Sequence, residues 1–283
     1  MTSIRVGAAV DAIPGPRYFE RHGLLELHPP LSFPRAATLA RWRQSIPEAC
    51  EIAIAVTRRT HGGRDGALRF DKPGARAWVD ETLAALSPRF VLLSTGPELS
   101  TGSRDRALLA QFVEAVRAKG PMLVWQPRGL WDDEDARRYA AQIGCVVALD
   151  LLGASSGPQV PGPAELMGLE RKLAASGSVG YGRIEALGTH ARLGDGHLRR
   201  AVDEALSSGA EELRLVIESE DAMKKAARLA AIVEGLADES GGSAALRRRA
   251  VEGEEQNGDD DELDDDELDD DEELDDELDD DEE

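Results

Sequence analysis

Short apolar runs recur along this chain, each followed by a stretch long enough for one helix. Ile4–Val10, Leu24–His28, Cys50–Val56, Phe90–Leu93, Met122–Gln126, Cys145–Leu151, Val179–Glu185 and Leu213–Glu218 read as strands, rich in Val, Ile and Leu. Between them the apolar spacing turns helical. Arg17–His22 predicts a turn, and Phe33–Ser45 a helix capped by Ser32 and stopped by Pro47. Lys72–Leu86 places Trp78, Val79, Thr82, Leu83 and Leu86 on one side. Arg104–Lys119 ends at Gly120, and Asp132–Ile143 opens with acids that suit the positive end of a helix dipole. A helix through Leu173 follows the loop Gly153–Pro163. Asp195 caps another through Leu206, and Ser219 caps the last, which Gly235 stops. Eight strands alternating with helices predict an α/β fold, a TIM-type (β/α)8 barrel formed as a single domain by residues 1–235. An open doubly wound sheet is the runner-up. It has no Gly-x-Gly-x-x-Gly turn after the first strand to support it.

The stretch Met122–Trp131 organises the rest. Its apolar run ends in Gln126, Pro127 forbids further ladder bonds, and Arg128-Gly129 turns the chain away. In a barrel, chemistry belongs at the carboxyl ends of the strands. Those ends carry Asp11, Glu26 with His28, Arg58 with His61, Ser94-Thr95, Gln126 with Arg128, Asp150, Tyr181-Arg183-Glu185, and Glu218. A charge inside a barrel strand costs several kcal/mol unless it is paired. Glu26 and Arg183 therefore read either as the charged floor of a pocket or as a structural ion pair between strands two and seven. Arg58, Arg128 and Arg183 offer guanidinium forks to an anion, against the plainer reading of solvated rim arginines. No His-x-His or His-Glu-x-x-His spacing exists, so no metal is assigned, and no cofactor can be named. Ser94 lacks a Gly-x-Ser-x-Gly elbow.

Charge changes the picture only at the far end. Residues 259–283 hold 21 Asp and Glu and four Leu, so a formal −22 less the tail's −21 leaves −1 for residues 1–258. No basic domain offers itself to nucleic acid. Residues 236–258 form a polar linker with Gly241-Gly242 and Arg247–Arg249. The Asp/Glu-rich tail, with Leu263, Leu268, Leu274 and Leu278 in no helical register, predicts a disordered segment. It reads as a solubilising tail, or as bait for basic proteins or a lid over the arginines. Cys50 and Cys145 share no motif spacing and read as buried apolar residues in a reducing compartment. With no signal-peptide core at the start and no run long enough for a membrane span, the cytoplasm is expected.

Several segments carry a family resemblance. They are Leu25-Glu26-Leu27, Leu39-Ala-Arg-Trp42 with Ile46-Pro47, Arg58–His61, Val124-Trp-Gln-Pro-Arg-Gly-Leu-Trp131, Val147-Ala-Leu-Asp150 and Tyr181-Gly-Arg183-Ile184. In order and motif this chain resembles, from about Ile4 to Val233, the YecE-like family (domain of unknown function 72), sugar-isomerase-related barrel proteins. The resemblance implies a barrel and assigns no reaction. Glu26, Arg58, His61, Arg128, Asp150, Tyr181 and Arg183 match the family pattern. Gly7–Asp11 lacks the family's opening aromatic, His28-Pro29-Pro30 replaces Asn-Ser-Thr, and Ala55, Gln126 and Glu185 stand where Lys, Glu and His are usual. Proton-carrying groups are lost while arginines remain, a trend that suits binding over catalysis, or else a shifted chemistry.

The expectation is therefore a small anionic or sugar-like ligand held at the barrel mouth by Arg58, His61, Gln126, Arg128, Asp150, Tyr181, Arg183 and Glu185. If there is a reaction, Glu26 is the general base. The alternative is a non-catalytic scaffold whose acidic tail engages basic partners.

Overall fold

The computed structural model describes residues 2–28, 34–56, 75–97, 99–151, 179–185, 193–239 and 244–246. Eight parallel strands close on themselves: β1 (Thr2–Val10), β2 (Leu24–Leu27), β3 (Glu51–Val56), β4 (Phe90–Ser94), β5 (Met122–Gln126), β6 (Val146–Asp150), β7 (Val179–Glu185) and β8 (Glu212–Glu218). Each pairs with the next in order, β8 pairs with β1, and the β1–β2 ladder from Gly7↔Leu24 to Val10↔Leu27 completes the ring. This is the expected (β/α)8 barrel. Around it run α1 (Pro16–Arg21), α2 (Ala36–Ser45), α3 (Ala75–Leu86), α4 (Ser103–Arg117), α5 (Asp133–Ile143), α6 (Asp195–Ser207) and α7 (Ala222–Glu239). The helix expected through Leu173 and the acidic tail lie outside the described residues. No helix among the described residues is long and apolar enough to cross a membrane.

Strand alternation divides the core in two. Ile52, Ile54, Val91, Leu93, Leu123, Trp125, Leu213, Leu215 and Ile217 face the helices and join their apolar sides. Leu24, Ala53, Ala55, Phe90, Leu92, Val124, Val146, Ala148, Tyr181 and Val216 fill the barrel. Small alanines on β3 beside Phe90 and Tyr181 let the large rings share one layer (centroids 5.6 Å apart). At the seam Gly7 is pressed against β2, where a Cβ would lie 2.4 Å from the Leu24 carbonyl oxygen. The Tyr18 hydroxyl wedges in there, accepting from the Ala8 N–H (2.8 Å) and donating to the Leu24 carbonyl (2.6 Å).

Three local expectations are corrected. Asp195 is the first residue of α6, not its cap, and Gly194 stands at the cap position. Gly235 does not stop α7, which continues to Glu239. Leu229, Ile232 and Val233 are buried ahead of it and Leu236 packs on the core after it, and that packing outweighs the roughly 1 kcal/mol a mid-helix glycine costs. Past residue 235 the chain also returns to the barrel. A further strand, β9 (Ala244–Leu246), pairs in parallel with Thr2–Ile4 of β1, and the compact unit runs from Met1 to Arg249. Cys50 and Cys145 each precede their strand by one residue, yet both are buried, and burial pushes both thiols up to about 12.

Candidate functional site

Where β2, β5, β7 and β8 finish, the barrel filling changes from apolar to charged. Inward positions alternate, so Leu24 is followed by Glu26, Val124 by Gln126, Tyr181 by Arg183 and Glu185, and Val216 by Glu218. The Arg183 guanidinium crosses the interior and ties these strands together. Its Nη2 donates to Glu26 Oε1 (3.0 Å) and Glu218 Oε2 (2.6 Å), and its Nη1 to Gln126 Oε1 (2.7 Å) and Glu185 Oε1. Gln126 Nε2 donates to Glu185 Oε1 (2.6 Å), and Arg128 pairs with the other oxygen of Glu185.

Glu26 is fully buried and takes three donors. Tyr181 donates to Oε2 at 2.6 Å, and His28 Nε2 lies 2.7 Å from Oε1, which also receives Arg183. Burial alone would raise this carboxyl. The Arg183 charge, the His28 contact and the Tyr181 bond outweigh it and hold Glu26 at about 2. Glu185 is lowered in the same way: burial opposes, and Arg183, Gln126 and Arg128 prevail. Burial next to the Glu26 charge raises the Tyr181 phenol far above its ordinary value. His28 is raised too. Burial would lower it, but the bond to Glu26 and the charges of Glu26 and Glu218 win.

The direction of Arg128 is set by the turn that follows. Gly129 has φ +89°, and a Cβ there would lie 2.4 Å from Pro97 Cα, so the chain lies against the β4 loop as only glycine allows. Trp125 and Trp131, in the same motif, serve packing. They meet edge to face at 4.8 Å, Trp125 Nε1 donates to Thr95 Oγ1, and Trp131 Nε1 donates to the Leu99 carbonyl.

Of the residues expected at the mouth, Glu26, Gln126, Arg128, Tyr181, Arg183 and Glu185 form one hydrogen-bonded cluster. Asp150 is exposed at the end of β6, in register with Arg183. Arg58 and His61 lie outside the described residues. His28 and Glu218 join the cluster with a larger part than their place at the strand ends foretold. The signal for His28 is its spacing, two residues after an inward glutamate. Among the described residues, no three His, Cys, Asp or Glu are grouped to hold a metal ion.

No family model matches this chain, and no curated protein matches it. Solved structures do. A DUF72 family protein from Enterococcus faecalis V583 superposes with a TM-score of 0.56 at 11% identity, covering 83% of this chain and 98% of that one. The chain has the fold of a DUF72 family protein. A second crystal structure of the same Enterococcus protein gives a TM-score of 0.57 at 12% identity, over 82% of this chain and 95% of that one. Endonuclease IV from Thermus thermophilus gives 0.50 at 17% identity, over 82% and 99%. The family resemblance carried by the motifs thus meets a structural likeness to DUF72, and at these identities the likeness is one of fold.

Proposed function

We propose that this DUF72-like barrel binds a small sugar-like or anionic molecule at the carboxyl ends of its strands. The supporting observation is a continuous gradient of exposure along paired charges. Side-chain exposure rises from 0% at Glu26 and 3% at Arg183 to 13% at Glu185, 42% at Glu218 and 44% at Arg128. This gradient stands at the carboxyl ends of the strands, where barrels carry chemistry. Here the pairing continues to the rim, where a ligand can exchange places with a partner at little desolvation cost. Alternating donors and acceptors suit hydroxyl groups, which both give and accept hydrogen bonds. An anionic group would compete with Glu185 for Arg128. Glu26, held ionised by three donors, acts in this proposal as an anchor and not as the general base.

The test is a melting-temperature screen against neutral polyols, sugar phosphates and inorganic phosphate. A ligand at 100 times its Kd adds about 2.7 kcal/mol. Arg128→Ala should remove any preference for the phosphorylated form and leave the polyol response. The second reading, a scaffold, rests on the 21 acidic residues of 259–283. It takes over if no small molecule shifts the wild-type melting curve while basic proteins are retained only by chains carrying that tail.

A further inference from the structure

The charged cluster contains one group that this binding reading does not use. His28, the first residue after β2, follows Glu26 by two positions with its ring against the Glu26 carboxylate, and it keeps 21% side-chain exposure while Glu26 keeps none. Its two nitrogens have different surroundings. Nε2 sits 2.7 Å from Glu26 Oε1, inside the barrel. Nδ1 sits 3.7 Å from Glu218 Oε1, longer than a hydrogen bond, and Glu218 is itself 42% exposed.

Resting on the binding reading above, we propose that His28 is a hydrogen-bond donor to the bound polyol through its Nδ1–H, with Glu26 as its positioning residue. Glu26 holds the Nε2–H and so fixes the ring's plane and its protonated nitrogen, as a buried carboxylate does in hydrolytic triads. The Nδ1–H then points its donor away from Glu26, and a ligand hydroxyl oxygen accepts that hydrogen bond with the N–H bond intact. The surroundings favour a charged ring at rest. Glu26 faces it from its own strand and Glu218 from β8, against Arg183 from β7. On β1 the neighbour is the Val10 carbonyl, which accepts the His28 backbone N–H (2.7 Å), with exposed Asp11 just beyond, and on β3 the ladder ends at Leu27↔Ile54, followed by Ala55. Without the His28 charge, Glu26, Glu185 and Glu218 outnumber Arg128 and Arg183, so a protonated ring balances the cluster.

Nitrogen-detected NMR on histidine-labelled full-length protein tests this, with His28→Gln identifying the resonance among five histidines. Both ring nitrogens should be protonated at pH 6. The Nε2–H, bonded to a buried carboxylate, should exchange with solvent at least about tenfold more slowly than the Nδ1–H. Glu218→Gln, a change at an exposed position, should move the ring's titration downward. A ring that is neutral at pH 6, or two ring protons equally protected as in a purely structural ion pair, overturns the donor role. If a polyol still shifts the melting curve in that case, the binding reading survives alone. If neither polyols, sugar phosphates nor inorganic phosphate shift it, both readings fall.

Discussion

At the scale of single residues, the Glu26–Arg183 pair decides most. Neither group is affordable alone inside a barrel, and removing one partner of a buried pair costs about 3–5 kcal/mol. Arg183 keeps Glu185, Glu218 and Gln126 when Glu26 is lost, so Glu26→Leu should cost the lower end of that range. Glu26→Leu combined with Arg183→Met should cost less than the sum of the two changes, because no buried charge is then stranded; urea unfolding of the four chains measures this. Proton linkage supplies a second outcome. Glu26 is lowered from 4.5 to about 2, so its stabilisation is present above about pH 4.5 and is lost as pH falls toward 2. His28 is raised from 6.5, so its contribution is complete below pH 6.5 and is lost as pH rises through the higher folded value. His22, lowered chiefly by burial, acts oppositely: its contribution is present above pH 6.5 and fades as pH falls. The His28 share is therefore read by difference. The decline in unfolding free energy above pH 6.5 should be steeper in wild type than in His28→Gln, and equal slopes would remove His28 from the account.

At the scale of elements, the seam between β1 and β2 carries the closure of the ring. Tyr18 stands between the Ala8 N–H and the Leu24 carbonyl, so Tyr18→Phe leaves a buried donor and a buried acceptor unpaired at the place where Gly7 brings the strands closest. A loss of about 1–3 kcal/mol for each group is expected, read as a lower urea midpoint with an unchanged slope. A change within experimental error would mean that the strands close directly on each other. The strands themselves were legible because burial on both faces makes each a short Val/Ile/Leu run, and the Glu26–Arg183 link between β2 and β7 was legible because charge interrupts such runs. Other features were not. Tyr18 sits in a short helix whose pattern carries no mark of a wedge. Gly235 reads as a stop because its tolerance comes from packing on the barrel. Glu51, Arg214 and Glu212 meet at the amino ends of the strands only once the barrel has closed, so no single segment spells out their pairing. Arg214, between Leu213 and Leu215, carries the same signal as Arg183 between Gly182 and Ile184.

At the scale of the whole molecule, the barrel is charged at both ends and apolar between them. At the amino ends of the strands Arg214, 2% exposed, forms a fork on Glu51 with two bonds of 2.8 Å and reaches Glu212 at 2.6 Å, while Arg89 bridges Glu51 and Glu212. The Arg214 and Arg89 guanidiniums lie 5.5 and 5.4 Å from the Phe90 ring centroid, so this end is sealed by charge laid over an aromatic. Glu51 is lowered because its bond to Arg214 and the surrounding arginines overcome burial. The two networks are alike in composition, and both reach solvent, the lower through Arg89 (43% exposed) and Glu212 (40%) and the upper through Glu185, Glu218 and Arg128. They differ in place, and the lower guanidiniums are laid over Phe90. Barrels place stability at the first end and chemistry at the second. Substitutions should therefore separate the poles. Glu51→Gln strips the fork of its charge beneath Arg214 and should lower the unfolding free energy by about 2–4 kcal/mol. It should leave the melting shift produced by a bound polyol unchanged, because that shift depends on ligand concentration relative to Kd. Arg128→Ala, at a side chain 44% exposed, should change the unfolding free energy by less than about 1 kcal/mol and alter the response to phosphorylated ligands. If Glu51→Gln abolishes the ligand response at constant fold, the lower network is part of the site and the division of labour between the two ends fails.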